Sequence, residues 1–262
     1  MRSTTPATRP AQRCAWARPC GWAALLLAGT FVFGIAMLAT ALGEYTTGEP
    51  TAAESVAFVA DNQAVLHAWY VVTLIVFGLA LVPLALGLHQ RLRGDAPVLA
   101  QVAGALGLVW AGLVIAAGMI ASIGVGTVAD LAAADPAQAR SVWSTLDSVQ
   151  DGLGGGNEVV GGAWVLLVSL AAWRRASFPR PVGALGIAAG LAGLATVVPP
   201  LEALGLAFGV GLIPWFVAVG IVLLRARTRP AGPSTADPRI DLGRSLGAGT
   251  ATGRRRAGAA TG

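Results

Sequence analysis

Residues 66–93 read LHAWYVVTLIVFGLALVPLALGLHQRLR. His67 is the only acidic or basic side chain of the Asp, Glu, His, Lys and Arg set before His89, and Arg91 and Arg93 close the stretch. As a helix, an apolar run of this length covers the ~30 Å of hydrocarbon in a bilayer at ~1.5 Å per residue. A bilayer offers the backbone no hydrogen-bond partners, and the run does not alternate as a barrel strand does, so a helix is the only reasonable conformation.

Outward from this block the pattern recurs. Further apolar stretches cover residues 21–43, 98–125, 154–173, 181–198 and 204–224, the fourth being the weakest. The chain is 55 % apolar and only 12 % charged, with a mean hydropathy of +0.68. A soluble fold of 262 residues could not build a charged surface from this composition. The sequence therefore predicts an all-α membrane protein, a bundle of six transmembrane helices. Residues 1–20 form a basic tail, 21–225 the membrane domain, and 226–262 an Arg/Gly/Pro/Ala-rich tail expected to be disordered.

Arginine placement sets the orientation. Arg2, Arg9, Arg13, Arg18, Arg91, Arg93, Arg174, Arg175, Arg180 and Arg225 fall on one face of a six-crossing chain, with the arginines of the C-terminal tail. Arg140 alone lies on the other, with Glu44, Glu49, Glu54, Asp61, Asp130, Asp135, Asp147, Asp151, Glu158 and Glu202. Cytoplasmic segments carry the positive charge, so both termini are placed inside a bacterial cytoplasmic (inner) membrane. In these Arg clusters, each arginine next to the membrane would attract anionic lipid headgroups by about 1 kcal/mol. The net charge of +5 is spent at these borders, which argues against nucleic acid as a partner. A cleaved signal peptide is the competing reading of the first block, but its apolar run exceeds a typical h-region. Cys14 and Cys20 are assigned to the inner tail, where thiols stay reduced.

The two longer outer loops carry helix-start signals. Thr51 and Glu54 have capping-box spacing, and Asp135-Pro136 places a cap before a proline at the first helical position. Val142, Leu146 and Val149 then form an apolar stripe, and Gly154 to Gly156 follow. Each loop is predicted to hold a short interfacial helix. Gly104-Ala105-Leu106-Gly107-Leu108 and Gly183-Ala184-Leu185-Gly186-Ile187 suggest an internal repeat, with chance similarity between Ala/Gly/Leu-rich helices the alternative.

Residues 178–191, FPRPVGALGIAAGL, open the fifth block after a short basic turn, and residues 87–93, GLHQRLR, close the second. Together they resemble a bacterial family of six-helix membrane proteins catalogued as a domain of unknown function, DUF4386. The resemblance covers about residues 21–225. It implies a six-helix bundle in a bacterial membrane and brings no catalytic residue and no substrate.

Intramembrane ionisable groups are costly and often functional. Here the candidates cluster at the outer ends: Glu44, His67, Asn157, Glu158 and Glu202. Glu158 stands out because the fourth block spans only if it begins near Gly154, which draws the carboxylate inside the boundary. With His67 it could bind a cation or relay a proton; the plainer reading is a carboxylate favoured by a helix N-terminus. His67 and His89 lie at opposite ends of one helix and cannot share a haem iron, and no His/Cys cluster has zinc spacing. No cofactor, metal or nucleophilic triad is predicted. Gly186 and Gly190, and Gly205 and Gly209, are small-xxx-small pairs suited to close helix packing, within the bundle or in an oligomer. Pro83 and Pro214 are predicted kinks or hinges. These features favour a bundle that binds lipid or a membrane partner. A small permease with an outer Glu/His site is the alternative, and an outer-leaflet lipid-modifying enzyme the third.

Overall fold

The computed structural model of the chain describes residues 17–43, 50–174 and 177–225. They form α1 (Ala17–Ala39), α2 (Ala52–Asp61), α3 (Gln63–Leu92), α4 (Pro97–Ala134), α5 (Pro136–Arg174), α6 (Arg180–Ala195) and α7 (Leu204–Arg225). Among the described residues five helices, α1, α3, α4, α5 and α7, are long and apolar enough to cross a membrane. The apolar α6 has 16 residues. Large apolar side chains such as Trp22, Leu79, Ile123 and Leu206 point outward, Leu206 being 75 % exposed. A water-soluble surface rarely carries so much contiguous apolar area. These are the features of a multi-pass membrane protein.

Apart from the short α2, each long helix packs on its chain neighbours, and α7 returns to pack on α1, closing a ring. Side by side in lipid, helices gain little from apolar burial, so the seams depend on close approach. The α5/α6 seam shows this best. A Cβ added at Gly162 would fall 2.8 Å from Gly190 O and 2.9 Å from Leu194 N, and one at Gly190 would fall 2.8 Å from Gly162 O. The two backbones touch, and only glycine permits it.

Aromatic rings fill the middle of the ring of helices. Phe31 meets Phe77 edge-on at 5.5 Å, Phe77 meets Trp110 at 5.3 Å, Trp110 lies 5.7 Å from Trp164, and Trp164 meets Trp215 edge-on at 5.7 Å. Each such pair contributes about 0.5–1.5 kcal/mol beyond area burial. The plug ties α1, α3, α4, α5 and α7 together. The predicted repeat makes one contact twice: Gly107 lies against the Trp164 indole nitrogen and Gly186 against that of Trp215. Neither indole N–H has a hydrogen-bond partner.

Several expectations are corrected. The predicted second outer helix is not separate: α5 runs unbroken from Pro136 to Arg174, through Gly154–Gly156, over about 58 Å. Asp135 both ends α4 and caps α5, its Oδ1 accepting from the N–H groups of Ala137 at 3.1 Å and Gln138 at 3.0 Å. The first outer helix, α2, has the predicted capping box. Thr51 Oγ1 accepts from Glu54 N–H at 3.3 Å, and Glu54 Oε2 accepts from Thr51 N–H at 2.7 Å. It is covered by protein, however. Val56 and Val59 pack with Leu66, Val125, Val128 and Ala139, Val59 being fully buried against the ends of α4 and α5. The first helix starts at Ala17, so Cys20 belongs to it, buried, with its thiol donating to Pro83 O. The helix of the fifth predicted block, α6, ends at Ala195 because Pro199 and Pro200 disfavour helix before them; a turn and a 3-10 segment, Pro199–Leu201, follow.

Pro83 and Pro214 both lie inside continuous helices. At Val71–Val76 α3 widens into a π turn. Thr73 Oγ1 donates to Trp69 O at 2.6 Å across it.

Candidate functional site

At the end of the ring where α1, α4 and α6 finish and α3, α5 and α7 face them lies a cavity of about 890 Å³. A second, of about 390 Å³, lies beside it. Asn157, Glu158, Gly205, Trp69, Leu38 and Leu74 line both, so these residues form the throat between them.

The larger cavity is an acidic vestibule. Asp147 and Asp151, one turn apart on α5, line it with Glu158 and Glu202. The smaller is apolar, with Phe31, Phe77, Trp110 and Phe208 among its walls. Phe31, Phe77 and Trp110 belong to the central plug and Phe208 abuts it, so the pocket ends on it. Among the described residues lining either cavity there is no Arg, Lys or His. Carboxylates facing low-dielectric walls focus a negative potential into the cleft.

Glu158 is held by glycine. A Cβ built on Gly205 would fall 2.5 Å from Glu158 Oε1, 2.9 Å from Cδ and 3.0 Å from Oε2, so the carboxylate lies flat on the start of α7. The Thr196 hydroxyl and the Glu202 carboxylate are its other polar neighbours. Thr196 is itself buried and donates to Gly193 O at 2.8 Å. Behind Glu158, its own carbonyl lies 2.8 Å from the Cβ position of Gly193, which lets α6 close on α5. Asn157 presents a buried Oδ1 with no partner. Such an acceptor costs about 1–3 kcal/mol when left unpaired.

Of the sequence-predicted site residues, Asn157, Glu158 and Glu202 meet in the vestibule. Glu44 lies outside the described residues. His67 is exposed and does not line either cavity. Leu66, Trp69, Tyr70 and Leu74 occupy the inward stripe of α3, and His67 is about 100° from Leu66 around the helix. His89, at the opposite end, donates from Nδ1 to Ala100 O at 2.8 Å. Gly205 and Gly209 divide their roles: Gly205 seats Glu158, while Gly209 has only Phe31, at 3.6 Å, near its Cβ position. Asp147, Gln150, Asp151 and Thr196 were not singled out by sequence, because they fall in a segment read as a surface helix and in a connecting turn. Gln150 Nε2 donates to Ala117 O at 3.1 Å, fixing this part of α5 on α4. Among the described residues no group of three or more His, Cys, Asp or Glu is arranged to hold a metal ion.

The π turn borders the apolar pocket. Thr73 and Leu74 line it, and Gly34 and Gly118 press on the turn from either side: their Cβ positions lie 2.9 Å from Thr73 Cγ2 and 2.8 Å from Ile75 Cγ1. Trp69 Nε1 donates to Gly34 O at 3.3 Å. Single π turns inside α-helices occur often at functional sites.

A family model described as a domain of unknown function (DUF4386) matches residues 21–226. No curated protein and no solved structure matches the chain. The chain belongs to the DUF4386 family.

Proposed function

We propose that this DUF4386 member is a six-span protein of a bacterial cytoplasmic membrane, termini inside, that binds a small ligand in a vestibule open to the outer face. The observation that carries the reading is Glu158: a carboxylate at the junction of an acidic vestibule and an apolar pocket, seated on Gly205. An intramembrane carboxylate without a cationic partner is expensive to keep, and a ligand is the usual reason to keep one.

Six crossings are supported by the path of α6. It runs from Gly183, which packs on Trp173, to Gly193, which packs on the Glu158 carbonyl, and so retraces the apolar length of α5. Orientation is supported by charge. Arg91, Arg93, Arg174, Arg180 and Arg225 gather at the end opposite the vestibule, where they would also attract anionic lipid headgroups.

The sequence alone favours a bundle that binds lipid or a membrane partner; the vestibule supports a small-ligand site instead. A permease is the second reading, favoured by the π turn beside the throat; passage would require the aromatic plug to part. The outer-leaflet enzyme has the least support, because His67 is exposed and does not line the vestibule with Glu158.

Cysteine labelling in intact cells tests the proposal. With Cys14 and Cys20 replaced by Ala, an impermeant maleimide should label Asp151→Cys and Glu202→Cys from outside, and Gly94→Cys only after lysis. Labelling of Gly94→Cys from outside would reverse the orientation and remove the outer vestibule.

A further inference from the structure

We propose that the vestibule takes an amphipathic organic cation: an ammonium head held between the Glu158 carboxylate and Asn157 Oδ1, with an apolar or aromatic tail in the pocket beside them. This rests on the reading of the vestibule as a ligand site and names the ligand class.

Three independent features converge on it. The first is charge. Four carboxylates line the vestibule, and no cationic side chain is among its described lining residues. An anionic lipid headgroup or a carboxylate solute would meet repulsion on every side, whereas a cation is drawn in. The second is hydrogen bonding. Asn157 lines the throat, its Oδ1 has no donor, and the neighbouring carboxylate of Glu158 also accepts. An ammonium supplies donors and charge together, and a charge-assisted bond is about twice as strong as a neutral one. The third is shape. The pocket on the far side of Glu158 has about 390 Å³ and is walled by Phe31, Phe77, Trp110 and Phe208. A bare inorganic cation would leave that volume unused, and the carboxylates are not arranged as a metal site. A tail of drug-fragment size fills it, in the manner of sites that combine apolar walls with a few placed polar groups. Trp69, shared by both cavities, places an aromatic side chain near the head, a neighbour of the kind that favours cations.

The test uses three probes with one skeleton: phenylbutylamine, phenylbutanol and phenylbutyrate. Binding to the full chain in nanodiscs is read by tryptophan fluorescence, with empty nanodiscs subtracted. The amine should bind about tenfold more tightly than the alcohol, and the acid more weakly than either. Glu158→Gln should bring the amine down to the alcohol. Gly209→Leu, which fills the tail pocket without touching the carboxylate, should weaken amine and alcohol alike. If alcohol or acid binds as well as the amine and Gly209→Leu weakens them, the cation class is overturned while the vestibule reading stands. If no probe binds, or binding ignores both substitutions, both fall. The three-probe comparison on the unaltered chain decides the class even if a variant fails to fold.

Discussion

Gly205 and Glu158 are fitted to each other: the glycine's missing side chain is the space in which the carboxylate lies, Oε1 being 2.5 Å from where a Cβ would stand. Gly205→Ala must therefore push the carboxylate off α7 or strain the helix. A loss of about 1–3 kcal/mol is expected, the range for overpacking. Gly209→Ala, one turn on, meets nothing closer than Phe31 at 3.6 Å and should be neutral or stabilising by up to about 1 kcal/mol, as alanine is the better helix former. Thermal unfolding of both variants in detergent checks the contrast; equal shifts would show that Gly205 is ordinary packing.

The α5/α6 seam gives a sharper case, because the obstacles are backbone atoms that no rotamer change can move. Gly162→Ala and Gly190→Ala should each destabilise by about 2 kcal/mol or more. Gly112→Ala, with nothing within 4 Å of its Cβ position, should not. The unfolding midpoints of the three variants order them.

Ser169 is fully buried, and its hydroxyl has no hydrogen-bond partner where it lies by Gly186 and Trp215. Removing an unpaired buried polar group relieves its desolvation cost. Ser169→Ala should leave the midpoint unchanged or raise it. A clear fall would mean that the hydroxyl has a partner in the folded protein.

The α2 capping box makes a pH prediction. Hydrogen bonds from the Thr51 N–H and hydroxyl hold the Glu54 carboxyl below its ordinary value of 4.5. A depressed carboxyl adds stability that is complete above the ordinary value and is lost as pH falls through the folded one. Protection of the Ser55 and Val56 amides from hydrogen exchange, corrected for intrinsic rate, should be flat above that value and decline below it. Thr51→Ala should show the reduced protection at neutral pH.

The membrane blocks were legible because length and hydropathy suffice to mark an apolar helix. Their ends were less so. The fourth block reads from Gly154 and the outer helix as ending before it, yet α5 continues through the three glycines, flanked by segments packed on α4 and α6. The π turn has neither proline nor glycine in Val71–Val76, and its close neighbours Gly34 and Gly118 lie on other helices, which local sequence does not reveal. In the site, Glu158, singled out by sequence, lines both cavities, while His67, chosen for its nearness to the membrane border, lines neither, in keeping with the Leu66, Tyr70, Leu74 spacing. Asp147 and Asp151 were missed because the segment carrying them was assigned to the membrane surface, while the fold stands it upright on the vestibule wall.

Native mass spectrometry of the chain released gently from its membrane tests the central claim, that Glu158 marks a ligand site. The account predicts a small-molecule adduct of defined mass on the unaltered protein, absent from Glu158→Gln. The same adduct on both proteins, or bare protein in both, would contradict it.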